Sequence, residues 1–157
     1  MEALRGEARL SHRAGARFAY CSTFKWLLAA AVLEAADAGR LRLDEAVAVR
    51  KEDLLLHSPV TEARVGKAPM TLAELCEATV TTSDNAAAHL LEGRIGGLAA
   101  MRAFAGRLGD ATTRFDRLEP DLNENRSGDP RDTTSPAAMA RNLKRVLETD
   151  ILTPASR

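Results

Sequence analysis

Ser22 and Lys25 stand three residues apart in FAYCSTFKWLLAAAVLEAADAG, where apolar residues begin to recur at helical spacing. Residues three apart on a helix share a face, with Cβ atoms roughly 5–6 Å apart, so the Lys25 amine is placed to reach the Ser22 hydroxyl. A lysine desolvated by FAYC and WLLAAA has a lowered pKa and can act as a base. The helix N-terminus favours an oxyanion, and the Ser22 backbone N–H can supply one donor to it. That is the chemistry of nucleophilic acyl transfer. The pair alone does not require it. A chain of this length carries Ser-x-x-Lys by chance roughly half the time. Ser22 as a helix N-cap, with Lys25 a solvated side chain, is the alternative.

Two further groups join it. Ser83-Asp84-Asn85 interrupts a helical segment, and such a triplet arises by chance in about one chain in fifty. Its alternative is a turn capping the next helix. Glu119-Pro120-Asp121-Leu122-Asn123 lies in the charged, proline-bearing stretch 114–132, long enough to be functional or disordered. Leu118 and Leu122 are its apolar anchors. Arg117 and Asp132 flank it with opposite charges that could close its neck; the alternative is a surface pair worth under ~1 kcal/mol.

The elements that must position these groups read as mainly helical. Residues 8–21, ARLSHRAGARFAYC, contain a strand that needs a sheet from elsewhere. The helix after Ser22 carries Phe24, Leu27, Leu28, Ala31, Val32 and Ala35 and stops at Gly39. Residues 40–70 are mostly irregular, punctuated by Pro59 and Pro69. Thr71 and Glu74 form a capping box for a helix reaching about Val80, and the helix resuming after the triplet stops at Gly96-Gly97. Another helix ends near Gly109. Ser135 caps a further one with Pro136 at its first position, and Thr153-Pro154 repeats that start.

The 157 residues suffice for one domain with a core. The 22 basic and 22 acidic residues cancel, so charge gives no case for nucleic acid or an anionic membrane as partner. No apolar run is long enough to span a bilayer, and MEALRGEARLSHR has no signal-peptide core, so the chain as given is expected in the cytoplasm. Cys21 and Cys76 are expected to be buried free thiols, with one disulfide as the alternative. His12, His57 and His89 lack ligand spacing, so no metal is expected.

Ser22-Thr23-Phe24-Lys25, Ser83-Asp84-Asn85 and Glu119 to Asn123, in this order and spacing, resemble the class A serine β-lactamases. HSPVTE, AAAHLL, IGG, RLEPDLNE and RDTTSPAAMA also match the family's pattern, so the resemblance runs from about Arg9 onward. It implies the α domain of a two-domain α/β fold, with at most one or two strands of the sheet retained. Residues 1–20 would be a remnant strand of the sheet domain. Residues 21–157 would form the helical domain, with the serine helix, the Ser-Asp-Asn loop and an omega-like loop over 114–132.

By the same resemblance, Ser22 is the nucleophile and Lys25 hydrogen-bonds it and helps take its proton. Ser83 relays a proton to the departing ring nitrogen, and Asn85 holds the acylamide side chain of the β-lactam. Glu119 activates the water that cleaves the acyl-enzyme, with Asn123 positioning that water. A general base on the far side of the ester from bulk solvent is what this step needs, and a carboxylate on a pinned loop meets it. Whether Lys25 or Glu119 is the acylation base stays open. Arg117 and Asp132 clamp the loop, and Asp84 is structural. His57 falls where the family has an aromatic gatekeeper at the site rim; an ordinary exposed histidine is the alternative. No cofactor is implied, and the family sets the expectation of a small β-lactam substrate, a monomer at full length and a periplasmic or secreted setting.

The family pattern also includes Lys-Thr/Ser-Gly on a later strand, which supplies the second oxyanion N–H and a lysine for the substrate carboxylate. No such triplet follows before Arg157. The expectation is therefore a truncated chain with little or no turnover. Some broad-spectrum members have a disulfide-bonded cysteine at the position of Cys21, but no drug spectrum follows from it here. Two readings compete: a penicillin-binding transpeptidase or carboxypeptidase, against which Glu119 and Asn123 argue, and a non-catalytic helical remnant.

Overall fold

The computed structural model describes residues 11–157, so the part of the expected N-terminal strand at 8–10 lies outside the described residues. Strand β1 (Phe18–Ala19) leads through a 3₁₀ turn (Cys21–Phe24) directly into helix α1 (Lys25–Asp37). Strand β2 (Ala46–Val47), a 3₁₀ turn (Lys51–Asp53) and the short helix α2 (Pro59–Glu62) follow. Then come β3 (Met70–Thr71), α3 (Leu72–Thr81), α4 (Asn85–Ile95) and α5 (Gly97–Arg107). A loop holding one 3₁₀ turn (Asp121–Asn123) leads to β4 (Thr133–Thr134) and α6 (Pro136–Glu148). This is the helical domain the resemblance implied.

Helix α1 is the axis of the core. Leu27, Leu28, Ala30, Ala31 and Val32 are all buried, as expected of a helix apolar on most sides. It packs against α3, α4 and α5, which contribute Leu75, Leu91, Met101 and Phe104. The small alanines along α1 let these helices approach closely, and each large apolar side chain buried contributes roughly 1.5–3 kcal/mol.

Local signals set several boundaries. Thr71 Oγ1 accepts from Glu74 N at 3.1 Å and the Glu74 carboxylate accepts from Thr71 N at 2.8 Å, closing the capping box at the start of α3. Ser135 Oγ accepts from Ala138 N at 3.2 Å, and Pro136 occupies the first turn of α6. Gly96 ends α4 at φ +100°, a conformation a side chain would strain.

Three expectations change. The N-terminal strand does not wait for a sheet from elsewhere: β1 pairs antiparallel with β4, Phe18 opposite Thr134 and Ala19 opposite Thr133. Residues 40–70 are less irregular than their prolines suggest, because β2 pairs with β3, Ala46 opposite Thr71. These pairings are invisible to local pattern, since each strand has two residues. The cysteines are free as expected, but both are half-buried rather than buried.

Candidate active site

The serine turn is set by its neighbours rather than by its own hydroxyl. Tyr20 occupies the cap position before the turn, and its carbonyl accepts from both Thr23 N (3.0 Å) and Thr23 Oγ1 (2.5 Å). The Tyr20 ring packs on Phe24 and Phe115 with centroids 5.6 and 5.4 Å apart. Cys21 takes the left-handed conformation at φ +42°, a position a side chain rarely adopts unless its surroundings hold it there. Ser22 is exposed, and its Oγ takes part in none of the hydrogen bonds found among the described residues. The helix-cap alternative for Ser22 is therefore incorrect. The hydroxyl is open to a cleft of about 490 Å³ lined by Ser22, Thr23, Lys25, Trp26, Thr79, Val80, Ser83 and Met139.

Lys25, one turn on, is 2% exposed. Its Nζ donates to Ser83 O at 2.6 Å, to Ser83 Oγ at 3.1 Å and to Asn85 Oδ1, and stands 3.7 Å from Glu119 Oε1. The expected hydrogen bond to Ser22 is not among these. The ammonium donates instead to three acceptors on other elements, with the Glu119 carboxylate facing it. Burial pushes the amine below its ordinary value, while the charges of Glu119, Asp84 and Glu92 pull it back up.

Ser83 presents both its carbonyl and its hydroxyl to Lys25 because it is left-handed, at φ +59°. Asp84 has the opposite fate. It is fully buried and accepts from Val60 N, Thr61 N and Ala87 N, each at 2.9 Å, and from Thr61 Oγ1. It caps α4 and ties α2 to it. Asn85 reaches Lys25 with its oxygen and donates from Nδ2 to Leu56 O at 2.6 Å. His57 does not line the cleft beside Ser22. Its ring nitrogen sits 2.9 Å from Thr82 O, its own carbonyl accepts from Asn85 N at 3.0 Å, and its φ is +63°.

Glu119 comes to Lys25 from a loop pinned at several points. Leu122 and Phe115 are buried, while the expected anchor Leu118 is only half-buried. Glu119 is 5% exposed and is joined to Pro120 by a cis peptide bond. Its Oε2 accepts from Asn123 Nδ2 at 2.7 Å; its Oε1 has no hydrogen-bond partner and faces the ammonium. At the loop's neck, fully buried Asp132 accepts from Asp116 N and Arg117 N at 2.9 Å, from Tyr20 Oη at 3.1 Å and from Arg117 Nε at 2.5 Å. Arg117 also donates to Glu124 Oε2 (2.7 Å) and Glu124 O (3.0 Å), spanning the neck. Burial first and the Asp132 charge second push the Tyr20 phenol up, so it remains a donor.

Residues 1–157 match the sequence model of the beta-lactamase enzyme family. The chain belongs to that family. Within it, beta-lactamase L2 of Stenotrophomonas maltophilia is 54% identical over 149 residues, 95% of this chain and 49% of that protein. A beta-lactamase of Rhodobacter capsulatus is 50% identical over 147 residues, 94% of this chain and 50% of that protein. A solved ancestral class A beta-lactamase superposes with a TM-score of 0.91 at 57% identity, covering 96% of this chain and 57% of that one. The crystal structure of L2 complexed with relebactam gives 0.90 at 52% identity, covering 95% and 55%. This class A chain thus spans about half the length of the curated relatives it matches.

Sequence reasoning overlooked two buried polar groups in this class A chain. Tyr20 joins the serine turn to the loop neck through its ring and its hydroxyl, and nothing local marks it. Glu92 is a carboxyl 2% exposed on α4, and there the signal was available: a glutamate seven residues after Asn85 falls on the same helix face. Among the described residues no cluster of three or more His, Cys, Asp or Glu is arranged to hold a metal ion, and no helix is long and apolar enough to cross a membrane.

Proposed function

We propose that this chain carries the acyl-serine chemistry of β-lactam hydrolysis, with Ser22 as nucleophile. The observation that carries the reading is the single buried ammonium of Lys25, which joins Ser83, Asn85 and Glu119 one helical turn from an unencumbered Ser22 hydroxyl. Ser22 Oγ attacks the lactam carbonyl, and its proton passes to a base, Lys25 or Glu119. Burial favours neutral Lys25, while its ion pair with Glu119 opposes that, so the two groups share the task. The lactam C–N bond breaks as Ser83 Oγ, held by Lys25, delivers a proton to the nitrogen. Asn85, whose side chain meets Lys25, holds the acylamide side chain of the substrate, and His57 has no part in this cleft. Glu119 Oε1, with its free lone pair, takes a proton from the water that attacks the acyl ester, and Asn123 fixes the other oxygen. Asp84, Arg117 and Asp132 hold the frame. The proposed setting is that of the family, periplasmic or secreted and monomeric at full length.

Turnover by these 157 residues alone is expected to be low. Ser22 N–H gives one oxyanion donor, the sequence contains no Lys-Thr/Ser-Gly, and a missing donor costs ~10²–10³ in rate. The experiment is intact mass spectrometry after incubation with benzylpenicillin. The reading expects one added penicilloyl group, mapped to Ser22 and lost in Ser22→Ala. Labelling at another residue, or equal labelling of Ser22→Ala, refutes it. An adduct that persists equally in wild type and Glu119→Gln favours the transpeptidase reading. A longer-lived adduct in Glu119→Gln favours hydrolysis.

A further inference from the structure

A cavity of about 380 Å³ lies where the C-terminal ends of α1 and α4 meet α5, and it shares no lining residue with the cleft beside Ser22. Much of its surface is small and apolar: Ala31 and Ala35 from α1 and Ala100 and Ala103 from α5, together with Leu41 and Ile95. Its charged lining is three arginines, Arg40, Arg94 and Arg107, against one carboxylate, Glu34. In a chain whose 22 basic and 22 acidic residues cancel, this is a local excess of positive charge. Arg40 and Arg107 both donate to one oxygen, Glu34 Oε2, the second at 3.1 Å, and Arg94 donates to Glu45 Oε1 at 2.5 Å. Among the described residues these are the only hydrogen bonds the three guanidiniums make, and a guanidinium carries several N–H donors in a fixed fork. The backbone acceptors at this end of α1 are already used. Glu34 O, Ala35 O and Ala36 O accept from the N–H groups of the turn Ala38–Leu41. Arg94 and Arg107 stand in the last turns of α4 and α5, where a cation offsets the helix dipole. That accounts for a cation at each helix end, but not for both lining one cavity with Arg40 above a floor of alanines.

We propose that this cavity is a binding site for a small organic anion: a carboxylate carried on a flat, apolar body of one or two rings, gripped by Arg94 and Arg107. The site is separate from the acyl-serine chemistry and does not rest on it. Guanidinium and carboxylate pair best two bonds to two, which a single Glu34 oxygen shared by two arginines does not provide. Glu34 keeps Arg40 when Arg107 turns to the ligand, so no carboxylate is stranded. Arg94 and Glu45 form an exposed pair, which costs little to exchange for a ligand carboxylate. The apolar body lies on the alanines, whose short side chains leave the space it fills. Small-molecule sites have this make-up, with volumes of roughly 300–1,000 Å³, mostly apolar walls and a few convergent polar groups. Acetate or phosphate has nothing to lay on the alanines, and an uncharged ring leaves the guanidiniums unanswered.

The test is a titration of the ¹⁵N-labelled 157-residue chain at low salt, followed by amide NMR shifts. The probes are 2-naphthoate, acetate, inorganic phosphate and 2-naphthamide. 2-Naphthoate is expected to shift the amides of Glu34, Ala35, Ile95 and Ala103 in a saturable way, with half-saturation below ~1 mM. Acetate and phosphate lack the apolar body and naphthamide lacks the charge, so each should bind about tenfold more weakly or worse. Arg94→Gln and Arg107→Gln should each raise the naphthoate midpoint about fivefold, and added salt should raise it too. Ala103→Phe, at an exposed position on the lining, fills the space without touching a charge and should abolish saturation. A response that does not saturate, saturable shifts around Ser22 instead, equal binding of phosphate or the amide, or midpoints unchanged in the variants overturns the proposal. If a variant fails to fold, the four probes against wild type decide alone.

Discussion

Replacing Asp132 with alanine removes the acceptor that closes the neck of the Glu119 loop. The lost carboxylate accepts four hydrogen bonds: two from backbone N–H groups of the loop, one from the Tyr20 phenol under the serine turn and one from Arg117 Nε. Asp132 is fully buried, so water does not replace it at once. Breaking a buried pair by removing one partner costs about 3–5 kcal/mol. Each orphaned donor adds roughly 1–3 kcal/mol where relaxation cannot rescue it. These terms overlap, and about 4 kcal/mol is expected, a large part of the 5–15 kcal/mol typical of a domain. Urea unfolding followed by Trp26, the single tryptophan, reads it directly. Limited trypsin digestion should also cut faster after Arg126 and Arg131 in Asp132→Ala, because the neck frees the loop before the core opens. A double-mutant cycle with Arg117→Ala separates the hub from a surface ion pair. A loss below ~1 kcal/mol, with no coupling to Arg117 and unchanged proteolysis, would refute the clamp.

Asp84→Ala should cost about 3 kcal/mol in the same urea assay, since it uncaps α4 and strands the N–H groups of Val60 and Thr61. Asn at that position should recover part of this. Glu92 makes stability depend on pH. Its folded-state pKa is raised from 4.5 to about 8, so its contribution is complete below pH ~4.5 and is lost as pH rises through 8. By pH 7 the loss is about 3 kcal/mol relative to an ordinary glutamate, at 1.36 kcal/mol per unit. Glu92→Gln should flatten that slope between pH 5 and 8, and an unchanged slope would contradict the burial argument.

What the sequence determined is what depends on neighbours along the chain. Thr71 with Glu74, and Ser135 with Pro136, fix the starts of α3 and α6 because a cap needs partners only three residues away. The apolar repeat of α1 and the left-handed Gly96 are legible for the same reason. The motifs around Ser22, Ser83 and Glu119 could be picked out as residue types and matched to a family. Their arrangement could not. Lys25 passes over the hydroxyl one turn away and bonds instead to Ser83, Asn85 and Glu119, because a buried ammonium seeks whichever oxygens the packing brings nearest. Ser22 sits inside a 3₁₀ turn rather than at a cap because Tyr20, stacked on Phe24 and Phe115, takes the cap position. β1 finds its partner at Thr133–Thr134, more than a hundred residues on. Such choices are made by contacts between segments remote in sequence, whose energies exist only once the chain has closed on itself.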